Sequence, residues 1–532
     1  MKSLALPRRR GFVNLMHWSL AAAAVMLGGC ASVEPGHQRT PSLSITDTDS
    51  TTLGQAFARD AAVRNGQSGF KVVATGHEAL VARAALADLA ERTLDLQYYS
   101  VGDDSSSALL LSRLLAAAER GVRVRVLLDD LFATARKFGA RARAAHSNIE
   151  VRLFNPFRAI GSSGLVRLSE FAFDAERLNV RMHNKAWIAD SAAAVFGSRN
   201  VGDEYFDLSE SEGFTDIDLL VIGPAVGAMS EAFNRYWNSD RALPVERFAP
   251  TPGPAMRERV QSELRALDSD CQANGPCRWL AESELREALG AGRLPLAWAP
   301  ARFFADAPEG EKKRISSGVE HGYIGDDPAG AQTVSELLIV SPYFIPDAHG
   351  IAHLTEMSRR GVRVSALTNS LASTDSIAAH AGYAGRRSEL LRAGIQLHEF
   401  KPQNGLKHRP LHRWGQASPA SLHTKLVVQD RARVVVGSLN QDPRSRLHNT
   451  ESWLMIESRE LAAELADHFE EGIDLHHSFR VEYGSNAAGG DSLSWLSSEQ
   501  GLIVRHDSEP MTGVWLLLWR ATLRWLVPEH LL

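Results

Sequence analysis

The sequence predicts an α/β protein made of two copies of one module, each a mixed sheet flanked by helices. Two repeated motifs and one repeated pattern carry that prediction. The pentapeptide Arg-Gly-Val-Arg-Val begins at Arg120 and again at Arg360, and a His-x-Lys pattern follows 63 residues later in both cases, at His183 and His423. The halves are therefore in register at an offset of 240 residues, whereas solenoid repeats are roughly 20–50 residues long. Within each copy a helical stretch separates two apolar runs, which favours a βαβ crossover with parallel strands. A hydrophobic content of 44% over 532 residues excludes a disordered or fibrous chain, and three cysteines exclude a disulfide scaffold.

Residues 1–30 read as an export signal. Arg8, Arg9 and Arg10 precede an apolar stretch over 12–27, and Leu27-Gly28-Gly29-Cys30 closes it. This resembles a bacterial lipoprotein box, with Cys30 as the lipidated first residue of the mature chain. A plain secretory signal with an incidental Cys30 is the alternative. The lipoprotein reading implies a bacterial envelope protein, anchored to a membrane and facing the periplasm. Residues 31–54, rich in Ser, Thr, Asp and Pro, form a solvated tether.

The first module spans 55–248. It starts with a strand over 94–99, then a helix over 108–120 stopped by Gly121, then a strand over 122–128. Residues 249–330 form a linker of helices and loops, opened by Pro250, Pro252 and Pro254. Cys271 and Cys277 bracket a turn-rich pentapeptide in it; a small-loop disulfide and two free thiols are equally open readings. No second Cys or His pair completes a metal site. The second module spans 331–480, with strands over 337–344 and 362–367 around a helix ending at Arg360-Gly361. The tail, 481–532, ends in Trp515, Trp519 and Trp525 among leucines. Arg520, Arg524 and Pro528 interrupt it as a membrane span. An amphipathic helix at a membrane surface fits it, and a helix docked on the protein's own core is the alternative.

The chemistry lies in the repeated unit. The first copy reads His183-Asn-Lys185, four residues, Asp190, six residues, Gly197-Ser198-Arg199-Asn200; the second reads His423-Thr-Lys425, Asp430 and Gly437-Ser438-Leu439-Asn440 at the same spacing. Apolar stretches between them predict two strands joined by a tight turn at Asp190-Ser191 or Asp430-Arg431. Residues two apart on a strand share a face, so each hairpin presents an imidazole, an ammonium, a hydroxyl and an amide together. That set suits phosphate: lysine is a point cation, Ser and Asn are hydrogen-bond donors, and His attacks phosphorus or moves a proton. Asp190 and Asp430 belong to the repeated motif, but as preferred turn residues they are expected to brace the hairpins. One imidazole does not suffice for a two-step displacement; two supply nucleophile and acid if the modules face each other across a pseudo-two-fold axis and share one site.

The doubled His-x-Lys-x4-Asp-x6-Gly-Ser-x-Asn motif resembles the phospholipase D superfamily over nearly all of residues 55–480, and most closely its bacterial cardiolipin synthases of the C type. Leu96-Gln-Tyr-Tyr-Ser100, Asn200–Phe206, Phe214-Thr-Asp-Ile-Asp218 and Ser341-Pro-Tyr-Phe-Ile-Pro346 support the likeness. The resemblance implies two duplicated phospholipase D-type domains and a ping-pong reaction that uses no metal or other cofactor. It implies His183 as nucleophile through a phosphohistidine, His423 as acid and base, and Asp216 and Glu451 as carboxylates that orient the imidazoles. The catalytic set is then His183, Lys185, Asp190, Ser198, Asn200 and Asp216 with His423, Lys425, Asp430, Ser438, Asn440 and Glu451. The function it implies is a membrane-associated phosphatidyltransferase making cardiolipin from two phospholipids. A superfamily hydrolase using water (a phospholipase D, or a nuclease) shares these motifs, and intact motifs argue against a silent lipid-binding lipoprotein. A net charge of −5 gives no sign of a nucleic-acid partner. The expected partners are phospholipids and a membrane surface reached through Cys30 and the tail helix, with a basic loop (Lys407, His408, Arg409, His412, Arg413) as a further candidate contact for lipid phosphates.

Overall fold

A strand ends, a helix crosses over, and a parallel strand follows in both halves of the chain. The computed structural model describes residues 41–158, 164–209, 212–249, 251–274, 283–309, 323, 333–402, 420–485 and 491–528. Cys30, Cys277 and the basic segment at 407–413 lie outside them, and with Cys277 goes the question of its pairing to Cys271. In the first half Thr93–Tyr98 and Arg123–Asp129 pair in parallel, joined by the Ser105–Glu119 helix. Asp104 caps that helix by accepting the Ser107 N–H, and Gly121 ends it at φ 97°, a left-handed value that costs glycine little. The second half repeats the device with Glu336–Val340, Ala348–Arg359 and Arg363–Asn369, capped by Asp347 and stopped by Gly361 at φ 90°. The strand expected to run to residue 344 stops at Val340, since Pro342 has no N–H to continue a ladder.

Around each crossover lies a mixed sheet, nine-stranded in the first half and ten-stranded in the second. The first runs, in space, Ser68–Val73, Asp218–Ile222, Ala193–Gly197, Ala186–Ala189, Thr93–Tyr98, Arg123–Asp129, Ile149–Phe154. The last three strands are mutually parallel, and the other pairings in that series are antiparallel. The second sheet repeats the series with Ser452–Glu457, Arg433–Gly437, Leu426–Gln429, Glu336–Val340, Arg363–Asn369 and Gln396–Phe400. Ser478–Ser485, Asp491–Glu499 and Leu502–His506 extend it, so the first part of the tail is sheet.

The segment to which sequence assigned no role stitches the halves together. Its Pro254–Asn274 helix buries Val260 and Leu264 in the first module's core. Ala297–Ala299 then edges the first sheet against Ser68–Phe70, and Ala301–Ala305 edges the second against Ser452–Ile456. A single apolar core crosses the junction, with Phe154, Met182, Ile188 and Leu219 from one half and Leu338, Val428, Leu454 and Leu465 from the other. Burial of apolar side chains is the main favourable term in folding, so a shared core fixes the two halves in one arrangement. The parallel pair Gly213–Thr215 with Ala420–Leu422 adds backbone bonds across the same junction.

Candidate active site

Each repeated motif forms the expected hairpin. Ala186–Ala189 pairs with Ala193–Gly197, and Leu426–Gln429 with Arg433–Gly437. Asp190 and Ser191 turn at φ 51° and 53°, and Asp430 and Arg431 at 51° and 48°. Two successive positive φ values suit the twist of a two-residue hairpin, and Asp tolerates that region better than most residues. The Asp190 carboxylate accepts the backbone N–H groups of Glu91, Arg92 and Thr93, tying the turn to the next strand. Asp430 does the same for Val334, Ser335 and Glu336. Both carboxylates are occupied at the turn, at the far end of the strands from the histidines. Asp190 and Asp430 thus brace the hairpins, the part expected of them as turn residues.

The reactive residues also lie past the ends of the strands. His183 and Lys185 precede Ala186, and Ser198 and Asn200 follow Gly197, with the second copy alike. The reason is a change of hydrogen-bond partner. The His183 N–H donates to Thr450 O of the second half (2.9 Å), and the His423 N–H donates to Thr215 O of the first (2.9 Å). The next residue in each case is a carboxylate, Glu451 and Asp216, so each imidazole meets the acid of the opposite module. His183 Nδ1 lies 2.9 Å from Glu451 Oε2, and His423 Nδ1 lies 2.7 Å from Asp216 Oδ2. The serines hold those acids in turn. Ser198 Oγ donates to Asp216, Ser438 Oγ to Glu451 Oε2 at 2.5 Å, and Ser445 Oγ to Glu451 Oε1 at 2.9 Å.

With Nδ1 held by a carboxylate, Nε2 is the ring nitrogen left for chemistry. The two histidines are 6% and 7% exposed, so Nε2 works in a nearly dry environment. Burial, opposed by Glu451 and reinforced by Lys185, pushes the His183 imidazole down to about 4. Burial and Lys425, opposed by Asp216, push His423 down to about 3. Burial raises the Asp216 carboxyl, but His423, Arg199 and Lys425 outweigh it and hold it at about 2. Burial thus disfavours a charge on either imidazole while the site holds no anion, and the Nε2 edge of each ring stays available.

The lysines make the site a receptor for anions. Lys185 Nζ donates to His183 O (2.5 Å) and Lys425 Nζ to His423 O (2.6 Å), each reaching back over its own motif. Burial and the charge of Lys425 depress Lys185 to about 7. Burial depresses Lys425 to about 8, against the pull of Asp216, Asp375 and Glu451. Two buried ammonium groups that repel one another are stabilised when an anion enters between them. That anion also offsets the lysines' effect on His423 and raises its affinity for a proton.

The asparagines differ between the copies. Asn200 Nδ2 donates to Tyr205 Oη and its Oδ1 accepts the Ser100 N–H, whereas Asn440 Oδ1 is buried with no hydrogen-bond partner among the described residues. Residue 199 differs too. Arg199 donates to Tyr205 O, Val73 O, Ala74 O and Asp216 O, pinning three segments, and Leu439 replaces it in the second copy. Aromatic residues from three of the segments that mark the family likeness wall both imidazoles. Tyr99 packs edge-on to His183 at 4.9 Å, while Tyr205 and Phe214 lie 5.3 and 5.2 Å from His423. Lys185 Nζ sits 5.4 Å from the Tyr99 ring centre, within cation–π range.

A family model described as "Cardiolipin synthase, PLD-like domain" matches residues 84–237 and 330–473, the two modules that carry these motifs. The chain belongs to this family. It is 38% identical to cardiolipin synthase C of Escherichia coli K12 over 456 residues, 85% of this chain and 93% of the relative. It is 24% identical to cardiolipin synthase A of Pseudomonas syringae pv. syringae over 413 residues, 77% and 70% of the two chains. Among solved structures, phosphatidylserine synthase of Haemophilus influenzae Rd KW20 superposes with a TM-score of 0.52 at 12% identity, covering 80% of this chain and 91% of that one. That last likeness concerns the fold of the duplicated phospholipase D-like domains.

Proposed function

We propose that this chain is a membrane-associated phosphatidyltransferase that makes cardiolipin from two phospholipids through a phosphohistidine at His183. Membership in the family makes it an enzyme of the phospholipase D type. The observation that carries the reading is the crossed pairing of two buried imidazoles with two carboxylates, beside two buried lysines. A phosphodiester anion between Lys185 and Lys425 is attacked by His183 Nε2. The P–N bond forms, the bond to the headgroup oxygen breaks, and the His423 imidazolium gives its proton to the departing alkoxide. The free hydroxyl of phosphatidylglycerol then attacks the same phosphorus. His423 takes its proton, the P–N bond breaks, and cardiolipin leaves. The lysines offset the charge that builds on the non-bridging oxygens.

Membrane association is proposed on two features. Lipidation of Cys30 would anchor the chain in the bacterial envelope, facing the periplasm. The Val514–Leu526 helix supplies a second contact. No helix among the described residues is long and apolar enough to cross a membrane. This one packs on the Ile377–Arg392 helix, and Arg520 pairs with Glu509 beneath it. Trp515 and Trp525 nevertheless stay 85% and 91% exposed. A helix docked on its own protein that keeps tryptophans outward suits the interfacial layer of a bilayer.

The test is the purified chain in vesicles of defined phospholipids, with products read by mass spectrometry. Cardiolipin is expected, and His183→Ala and His423→Ala should each abolish it. Phosphatidic acid as sole product would replace transfer by hydrolysis.

A further inference from the structure

On the Gly164–Phe173 helix, Val166, Leu168 and Phe173 face out while the charged side chains are held inward. A surface helix normally buries its apolar stripe and turns its charges to water. Here the charges point inward. Arg167 is buried, donating to Asp130 O (3.0 Å) and Leu131 O (2.9 Å) and pairing with the Asp130 carboxylate (3.3 Å). Glu170 pairs with Arg177 at 3.0 Å and accepts the Arg158 N–H. Val166, Leu168 and Phe173 face outward, with Leu168 66% and Phe173 82% exposed. Water gives no reason to turn apolar side chains out while polar ones are satisfied within.

The position of the helix supplies a reason. Arg167 grips Asp130 and Leu131, and the next residue, Phe132, is itself exposed. Phe132 packs edge-on to Tyr99 at 5.5 Å, and Tyr99 packs edge-on to His183 at 4.9 Å. The helix is thus tied to the loop from which two aromatic rings, Phe132 and Tyr99, lead to the imidazole. We propose that this face rests on the acyl-chain side of a phospholipid bilayer while a lipid phosphate reaches His183, forming an apolar lip to the active site. The proposal rests on the reading of the site as one that takes phospholipids, since the helix's place beside that site is what selects a bilayer as occupant. It also explains the inverted polarity: Arg167 and Glu170 are paired within the protein, so seating the lip in a bilayer strips little water from either.

The test compares full-length Leu168→Ser and Phe173→Ser with the parent on two substrates: vesicles of long-chain phosphatidylglycerol, and a short-chain phosphatidylglycerol held below its micelle concentration. Each variant should lose about tenfold in vesicle turnover, the size expected for one apolar side chain withheld from a lipid phase, and stay within twofold of the parent on the monomeric substrate. Phe173→Leu, which keeps the apolar contact, should retain at least half of the vesicle rate. Equal rates on both substrates would overturn the lip, and so would equal losses on both, the pattern expected if another segment or a second copy covers this face. A parent that transfers no phosphatidyl group at all would instead overturn the functional reading, so the two failures are distinguishable.

Discussion

Glu451→Gln tests the crossing of the two modules. Glu451 belongs to the second half, yet its carboxylate lies 2.9 Å from Nδ1 of the first-half histidine. Two unit charges about 4 Å apart at an effective dielectric near 20 interact by about 4 kcal/mol. The glutamine keeps an acceptor for Nδ1–H, so about 2–4 kcal/mol of support for a positive imidazole is lost. At 1.36 kcal/mol per tenfold, attack by His183 should slow by about thirtyfold to a thousandfold. Discharge of the intermediate should not slow, because a less basic His183 is a better leaving group. Asp216→Asn should slow both steps, because His423 gives a proton in one and takes it in the other. The assay is rapid quench with radiolabelled lipid, following label on the protein and then in product. If Glu451→Gln slowed discharge while leaving attack at the parent rate, the assignment of Glu451 to the nucleophile would be wrong.

The remaining predictions rest on charge and packing. Burial lowers His183 to about 4, so its imidazole should titrate well below 6.5 when the lipid-free enzyme is followed by NMR. Turnover should fall as pH passes about 7 and 8, where Lys185 and Lys425 lose the protons that attract the phosphodiester; an imidazole titrating at 6.5 would contradict the first expectation, and stopped assays giving a flat rate from pH 6 to 10 the second. Arg387 is buried between Glu399 (2.8 Å), Glu509 (2.6 Å) and His380 (2.8 Å). Arg387→Met should cost about 3–5 kcal/mol, because it leaves the buried Glu399 carboxylate without its cation while Glu509 keeps Arg520; chemical denaturation followed by tryptophan fluorescence measures it, and a loss under 1 kcal/mol would refute it. Trp515→Ser combined with Trp525→Ser, made in a Cys30→Ser chain, should weaken flotation with anionic vesicles at least tenfold while changing stability by no more than about 0.5 kcal/mol.

Much of this was legible in the sequence because the chain is duplicated. The offset of 240 residues exposed both hairpins, their turn aspartates and the paired histidines without any structure. Which acid serves which histidine was not legible: Asp216 follows His183 and Glu451 follows His423 along the chain, and only the cross-module bonds from His183 to Thr450 and from His423 to Thr215 reverse that pairing. Tyr99 and Tyr205 lie in segments that mark the family likeness, but their packing against the imidazoles is not legible there, because aromatic residues near strand ends are ordinary core candidates. The 164–173 helix shows a further limit, since a 3.6-residue pattern marks two faces but does not say which one meets the protein. No motif marks the second sheet's last strands, which carry it past residue 480 into the tail.

The central claim is that the two modules close on one phosphorus atom. Active-site titration of the lipid-loaded enzyme, with the trapped phosphoryl group mapped by mass spectrometry, tests it most directly. The account predicts one phosphatidyl group per chain, on His183, and none on His423. Two groups per chain, one on each histidine, would mean two independent sites and would contradict it.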